Sequence, residues 1–168
     1  MQQSPYYLIL ILTLLFVSCQ APEAESTLSE KSSDYAVLVT EHPDRQAVES
    51  AILNYVESLY LVDSSRVTRS VHPELRKRGY WYNEAEGKYY DNLDMTFEEL
   101  RQLAATWNKD GDQANGQTIK QIDIYDINDR TASAKLTAAW GIDYFHLAKL
   151  EDRWYIMNVL WQSIPESE

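Results

Sequence analysis

Asp143-Tyr-Phe-His-Leu-Ala-Lys-Leu150 and Trp154-Tyr-Ile-Met-Asn-Val-Leu-Trp-Gln-Ser-Ile164, separated only by Glu151-Asp-Arg153, decide the fold of this 168-residue chain. Both runs are rich in apolar and aromatic side chains, and a link this short cannot hold a crossover, so they predict antiparallel neighbours. Working backwards, Thr131 to Ala139 and Ile119 to Ile127 read as two more strands, joined through Trp140-Gly-Ile142 and Asn128-Asp129. The four make a meander. In the last two, Ile142, Tyr144, His146 and Ala148 oppose Phe145 and Leu147, while Trp154, Ile156 and Leu160 oppose Tyr155, Met157, Val159 and Trp161. A sheet wetted on one side alternates more cleanly. One face therefore meets helices, and the other meets a partner, either a second copy or the chain's own Tyr35 to Val39.

Upstream the period changes. Val48, Ala51, Ile52, Tyr55, Val56, Leu59 and Tyr60 recur at three- and four-residue spacing, which predicts a long amphipathic helix starting at Asp44, whose carboxylate can cap it. Asp63-Ser-Ser ends that helix and caps a shorter one reaching about Val71, stopped by His72-Pro73 because the residue before proline is pushed out of helical geometry. Arg76-Lys77-Arg78 then reads as a solvated corner. Tyr80-Trp-Tyr82 and Lys88-Tyr-Tyr90 flank a five-residue loop, as in an aromatic hairpin, and Thr96-Phe-Glu-Glu99 is a capping box opening a third helix with Leu100, Leu103, Ala104 and Trp107 on one stripe. The expected fold is α+β: a cone-shaped, curved antiparallel sheet packed against the long N-terminal helix, with about three helices in all.

The N-terminus has a different character. Tyr7 to Val17 is one apolar block, too short for the ~20 residues that span a bilayer, followed by Ser18-Cys19 and abruptly polar chain. Leu15-Phe-Val-Ser-Cys19 resembles a bacterial lipobox, which implies a cleaved signal at 1–18 and lipidation at Cys19. Residues 19–43 then form an acidic, serine-rich tether, and 44–168 the folded domain. Cys19 is the only cysteine, so no disulfide can form. Every charged residue lies beyond it, and a formal charge of −11 excludes a nucleic-acid surface, which needs clustered Lys and Arg. Gln20 lacks the Asp that, in lipoproteins, commonly specifies inner-membrane retention, so the resemblance implies the cell envelope, at the periplasmic face of the outer membrane.

From Asp44 to Trp161 the chain also resembles the nuclear transport factor 2-like superfamily, most closely its putative lumazine-binding branch. The resemblance rests on Ala51-Ile-Leu-Asn-Tyr55 leading to Asp63, His72-Pro-Glu-Leu75 with Lys77-Arg78, Asp143-Tyr-Phe-His-Leu147, and Trp154 to Trp161. It implies a pocket between sheet and long helix, and dimerisation through the sheet. Glu151-Asp-Arg153 departs from relatives that place Gly in this turn.

Within such a cone, His72, Trp81, Trp107, Tyr144 and His146 are the candidate ligand-binding residues, with Tyr82 and Trp161 as further aromatic walls. Tyr144 and His146, two apart, share a strand face; Asp143 and His146, three apart, do not. If the domain is instead an isomerase, cyclase or hydrolase, as other branches are, a buried carboxylate opposite a hydroxyl donor is required. Asp143 or Asp123, with Tyr55 or Tyr144, are the candidates. A third reading is a dimerisation module with no ligand. No phosphate loop, nucleophile elbow or helical metal motif is present in the sequence, and no cofactor or metal is expected. The leading expectation is a membrane-tethered, non-catalytic domain that binds a small molecule.

Overall fold

A computed structural model of the chain describes residues 41–165. The expected signal, Cys19, nearly all of the tether, and Tyr35 to Val39 lie outside the described residues. In chain order the elements are α1 (Arg45–Tyr60), α2 (Ser65–Ser70), β1 (Val71–Asn83), β2 (Lys88–Met95), α3 (Phe97–Ala104), β3 (Gln121–Ile127), β4 (Thr131–Ala138), β5 (Gly141–Leu150) and β6 (Arg153–Gln162). The strands form one curved, unclosed sheet in the order β2-β1-β6-β5-β4-β3.

The helices gather on one face, with α1 against β6, β3 and β4 and α3 against β1. All seven apolar positions that set the period of α1 are buried. Facing them are Ala132, Ala134 and Leu136 of β4, Phe145 and Leu147 of β5, and Ile156 and Val159 of β6. Each fully buried large aliphatic side chain contributes roughly 1.5 to 3 kcal/mol relative to exposure, so this interface supplies most of the drive to fold.

Three features differ from the sequence expectation. First, β1 is far longer than the hairpin arm at Tyr80 to Tyr82: it begins at Val71 and runs parallel to β6, so the sheet is antiparallel except at that pair. His72-Pro73 falls where the β1–β6 register shifts, between Val71 and Arg76, because proline cannot donate to the ladder there. Arg76-Lys77-Arg78 is therefore strand and not a corner. Second, β6 carries a bulge opposite the His146 to Leu147 step of β5. The bulge turns Val159 onto the buried face with Trp154 and Ile156, and leaves Leu160 exposed on the other side. Strict alternation had put Leu160 with Trp154. Third, Asp44 makes no side-chain cap to α1; its carboxylate instead accepts from the Lys149 ammonium at 2.9 Å, tying the helix start to β5.

Other local readings hold. Thr96 and Glu99 form the reciprocal capping box of α3, with Glu99 Oε2 accepting from the Thr96 amide at 2.7 Å. The β5–β6 turn puts Glu151 and Asp152 at φ of 47° and 60°, a left-handed pair usually given to Asn-Gly. Asn108 closes the long connection after α3: its amide donates to the Tyr60 and Ala114 carbonyls at 2.7 and 2.9 Å, and its oxygen accepts the amides of Gln113 and Ala114.

Candidate functional site

The interior of the cone holds one charged cluster. Asp143 faces inward from β5 because it shares the strand face of Phe145 and Leu147, and it is fully buried. Lys77 enters from β1, on the side of Leu75 and Gly79, and its side chain is also buried. Its ammonium donates to Asp143 Oδ1 at 3.2 Å and to the Tyr55 hydroxyl at 2.9 Å. Tyr55, from α1, donates in turn to Asp143 Oδ1 at 3.3 Å, and the Trp140 indole N–H donates to Oδ2 at 2.6 Å. The ammonium also sits 5.1 Å from the centre of the Trp161 ring, a cation–π contact.

This arrangement is closed. Burial, and then the charge of Asp143, push the Tyr55 hydroxyl well above the usual tyrosine range, so it stays a donor. Burial pulls the Lys77 ammonium down, opposed by the neighbouring carboxylate. The carboxylate accepts three donors, and aromatic rings fill the space around it. Tyr55 meets Phe145 edge-on at 5.1 Å and Trp140 at 6.2 Å, while Trp107 stacks on Tyr60 at 5.8 Å and meets Trp140 edge-on at 5.3 Å. Trp161 lies over Gly79 so closely that a Cβ there would stand 1.8 Å from its indole nitrogen. A general base needs a free lone pair aimed at a substrate; both oxygens of Asp143 are already engaged.

The uncovered face of the sheet carries an open groove of about 850 Å³. Its floor is ordered by strand register. One cross-strand row reads Asp94, Arg78, Leu160, Tyr144, Lys135, Asp123. The ends of that row are neutralised within the sheet: Arg78 holds both oxygens of Asp94 at 2.7 and 3.1 Å, and Lys135 reaches Asp123 at 3.3 Å. Its centre is apolar, with Leu160 50% and Tyr144 47% exposed. A second row places Arg76, Asn158 and His146 side by side.

The candidate residues thus separate into different places. Tyr144 and His146 share a face as expected, but it is the outer one, so they do not line the interior of the cone. Asp143 and Tyr55 meet inside it. Asp123 is on the outer face of edge strand β3, where Gln121 and then Lys135 lower its carboxyl below the usual aspartate range; it cannot serve as a buried base. Trp107 is packed in the aromatic cluster. Trp81 stands 47% exposed on the β1–β2 hairpin, stacked on Tyr90 at 5.9 Å, with Tyr82 against Tyr89 nearby. His72 lines a separate groove of about 520 Å³ beside Tyr155. These aromatic residues do not converge on one cavity.

Lys77, Trp140 and Arg76 were missed. Period-two alternation from Leu75 to Gly79 would have put Lys77 on the buried face, but three consecutive cations look solvated. Trp140 reads as turn sequence, although it lies three residues before Asp143. Among the described residues no group of three His, Cys, Asp or Glu could hold a metal ion, and no helix is long and apolar enough to cross a membrane.

Residues 43–162 match the family described as putative lumazine-binding. Among solved structures, a nuclear transport factor 2-like protein of unknown function from Silicibacter pomeroyi is 16% identical, covering 68% of this chain and 91% of its own, with a TM-score of 0.49. A ketosteroid isomerase-like protein from Erwinia carotovora atroseptica is 13% identical, covering 73% and 98%, at 0.48. A nuclear transport factor 2-like protein from Cytophaga hutchinsonii is likewise 13% identical, covering 73% and 100%, at 0.48. No curated protein matches.

Proposed function

Because the chain belongs to the putative lumazine-binding family of the nuclear transport factor 2-like superfamily, we propose that it is a non-catalytic domain that binds a small molecule. In this reading it is held at the cell-envelope side of a membrane, at the periplasmic face of the outer membrane, through lipidated Cys19. The observation that carries the non-catalytic part is the closure of Asp143. Its three donors and the aromatic packing around them leave no proton acceptor for a substrate, which speaks against an isomerase, cyclase or hydrolase working inside the cone. The binding part is supported by the outer groove, whose exposed Tyr144 and Leu160 lie beside hydrogen-bonding side chains. Native mass spectrometry of the protein purified from its own host is expected to show a co-purified small molecule that is lost on Leu160→Arg; an empty protein defeats the proposal.

A second reading has one observation in its favour. The Leu160–Tyr144 pair is flanked on both sides by ion pairs satisfied within the same sheet, a pattern that lets a second copy cover this row without stranding the charges at its ends. This homodimer through the sheet would cover the groove. Sedimentation equilibrium separates the two: a dimer that Leu160→Arg converts to monomer supports the interface, and a monomer at all concentrations removes it.

A further inference from the structure

In a chain of net charge −11, a guanidinium with no acidic partner is informative, and among the described residues Arg76 is the one arginine whose side chain makes no hydrogen bond or ion pair. It is exposed on β1 in the outer groove. Neither carboxylate that lines this groove pairs with Arg76: Asp94 holds Arg78 through both oxygens, and Glu99 accepts the amide and hydroxyl of Thr96 through Oε2. Glu74 lines an adjoining smaller groove with Arg76 and makes no ion pair with it. The register puts Asn158 directly beside Arg76, and His146 directly beside Asn158. Neither of those two side chains has a hydrogen-bond partner among the described residues. Three hydrogen-bonding groups therefore stand unused across three adjacent strands, a span of about 10 Å. Two residues further along the strands, about 7 Å away, Tyr144 and Leu160 offer a ring and an apolar edge.

We infer that the groove takes a small organic anion with a flat apolar body, its carboxylate or phosphate held by Arg76, Asn158 and His146 and its body resting on Tyr144 and Leu160. The inference rests on the reading of this groove as a small-molecule site, and adds the charge and shape of the guest. The planar guanidinium fork suits the two oxygens of such a group, and the amide of Asn158 adds a directed donor. His146 contributes a hydrogen bond in either protonation state, as donor or acceptor partner to the ionised or protonated oxygen.

The test uses three probes of one shape, 2-naphthoate, 2-naphthyl phosphate and the uncharged 2-naphthamide, titrated into the full chain while amide NMR shifts are followed. At least one anion is expected to shift residues 76, 144, 146 and 158 and to bind about tenfold tighter than the amide, equivalent to ~1.4 kcal/mol. The stronger of the two anions names the acidic group. Arg76→Gln, at an exposed position, is expected to erase the preference, while Lys109→Gln, outside the groove, preserves it. An amide that binds as tightly as both anions, or a preference that survives Arg76→Gln, overturns the inference but leaves a small-molecule site standing. Absence of groove shifts with all three probes also overturns it, and the binding reading is then decided separately by the native mass spectrum.

Discussion

Lys77 and Asp143 show how much a single buried pair can demand of its neighbours. Each ion is withdrawn from water, and the mutual attraction offsets that loss only because Tyr55 and Trp140 complete the hydrogen bonding. Removing one partner strands the other. Lys77→Met or Asp143→Leu alone is expected to cost about 3 to 5 kcal/mol in guanidinium denaturation, whereas the double variant costs clearly less than the sum of the two, because no uncompensated charge remains. Additive losses would show that the pair is not coupled. Beside it, Gly79 is required by close approach: an added Cβ meets the indole of Trp161 at 1.8 and 1.9 Å. Gly79→Ala is expected to destabilise by about 1 to 3 kcal/mol, with part of the loss recovered when Trp161→Leu makes room. Thermal melts of the single and double variants check this.

At the scale of the element, the helices follow rules written in local sequence. α3 begins at Thr96 because hydroxyl and carboxylate satisfy amides that have no carbonyl partner. The acids of its first turn also make it sensitive to pH. Arg101, with Gln102, holds the Glu98 carboxyl down from 4.5 to about 2, and the Thr96 amide and hydroxyl lower Glu99. Below about pH 4.5 the unfolded chain takes up protons that the folded helix still refuses, so the stabilisation present above that value fades as pH falls towards 2. The protection factor of the Leu100 amide, its exchange rate relative to that of an unstructured amide at the same pH, is expected to fall through that window, and to fall less in Glu98→Gln/Glu99→Gln. The strands obey a less local rule. β5 reads cleanly, with Asp143, Phe145 and Leu147 buried and Tyr144 and His146 outside, whereas the β6 bulge moves Leu160 outward. A bulge depends on pairing with the neighbouring strand, so no period within β6 announces it. Likewise β1 is hidden by its three cations, which look solvated until the parallel partner β6 is in place.

For the molecule as a whole, the two functional statements concern opposite sides of one sheet. The interior is an apolar core that encloses one packed polar knot, and the outer face is where a guest or a second copy can sit. Attachment is a separate matter, expected from Cys19. Cys19→Ala is expected to move the protein from the membrane to the periplasmic fraction, and retention at the membrane would remove the anchor. Legible in the residues alone were the α+β class, the buried stripe of α1, the box that starts α3 and the last four strands, because periodicity and capping act over a few neighbouring residues. It took the assembled sheet to bring Lys77 to Asp143 across 66 positions, to turn Tyr144 and His146 outward, and to leave Arg76 unpaired. Those outcomes depend on which strand lies beside which and on where a bulge resets the faces, and a pattern read along one strand does not specify its neighbour.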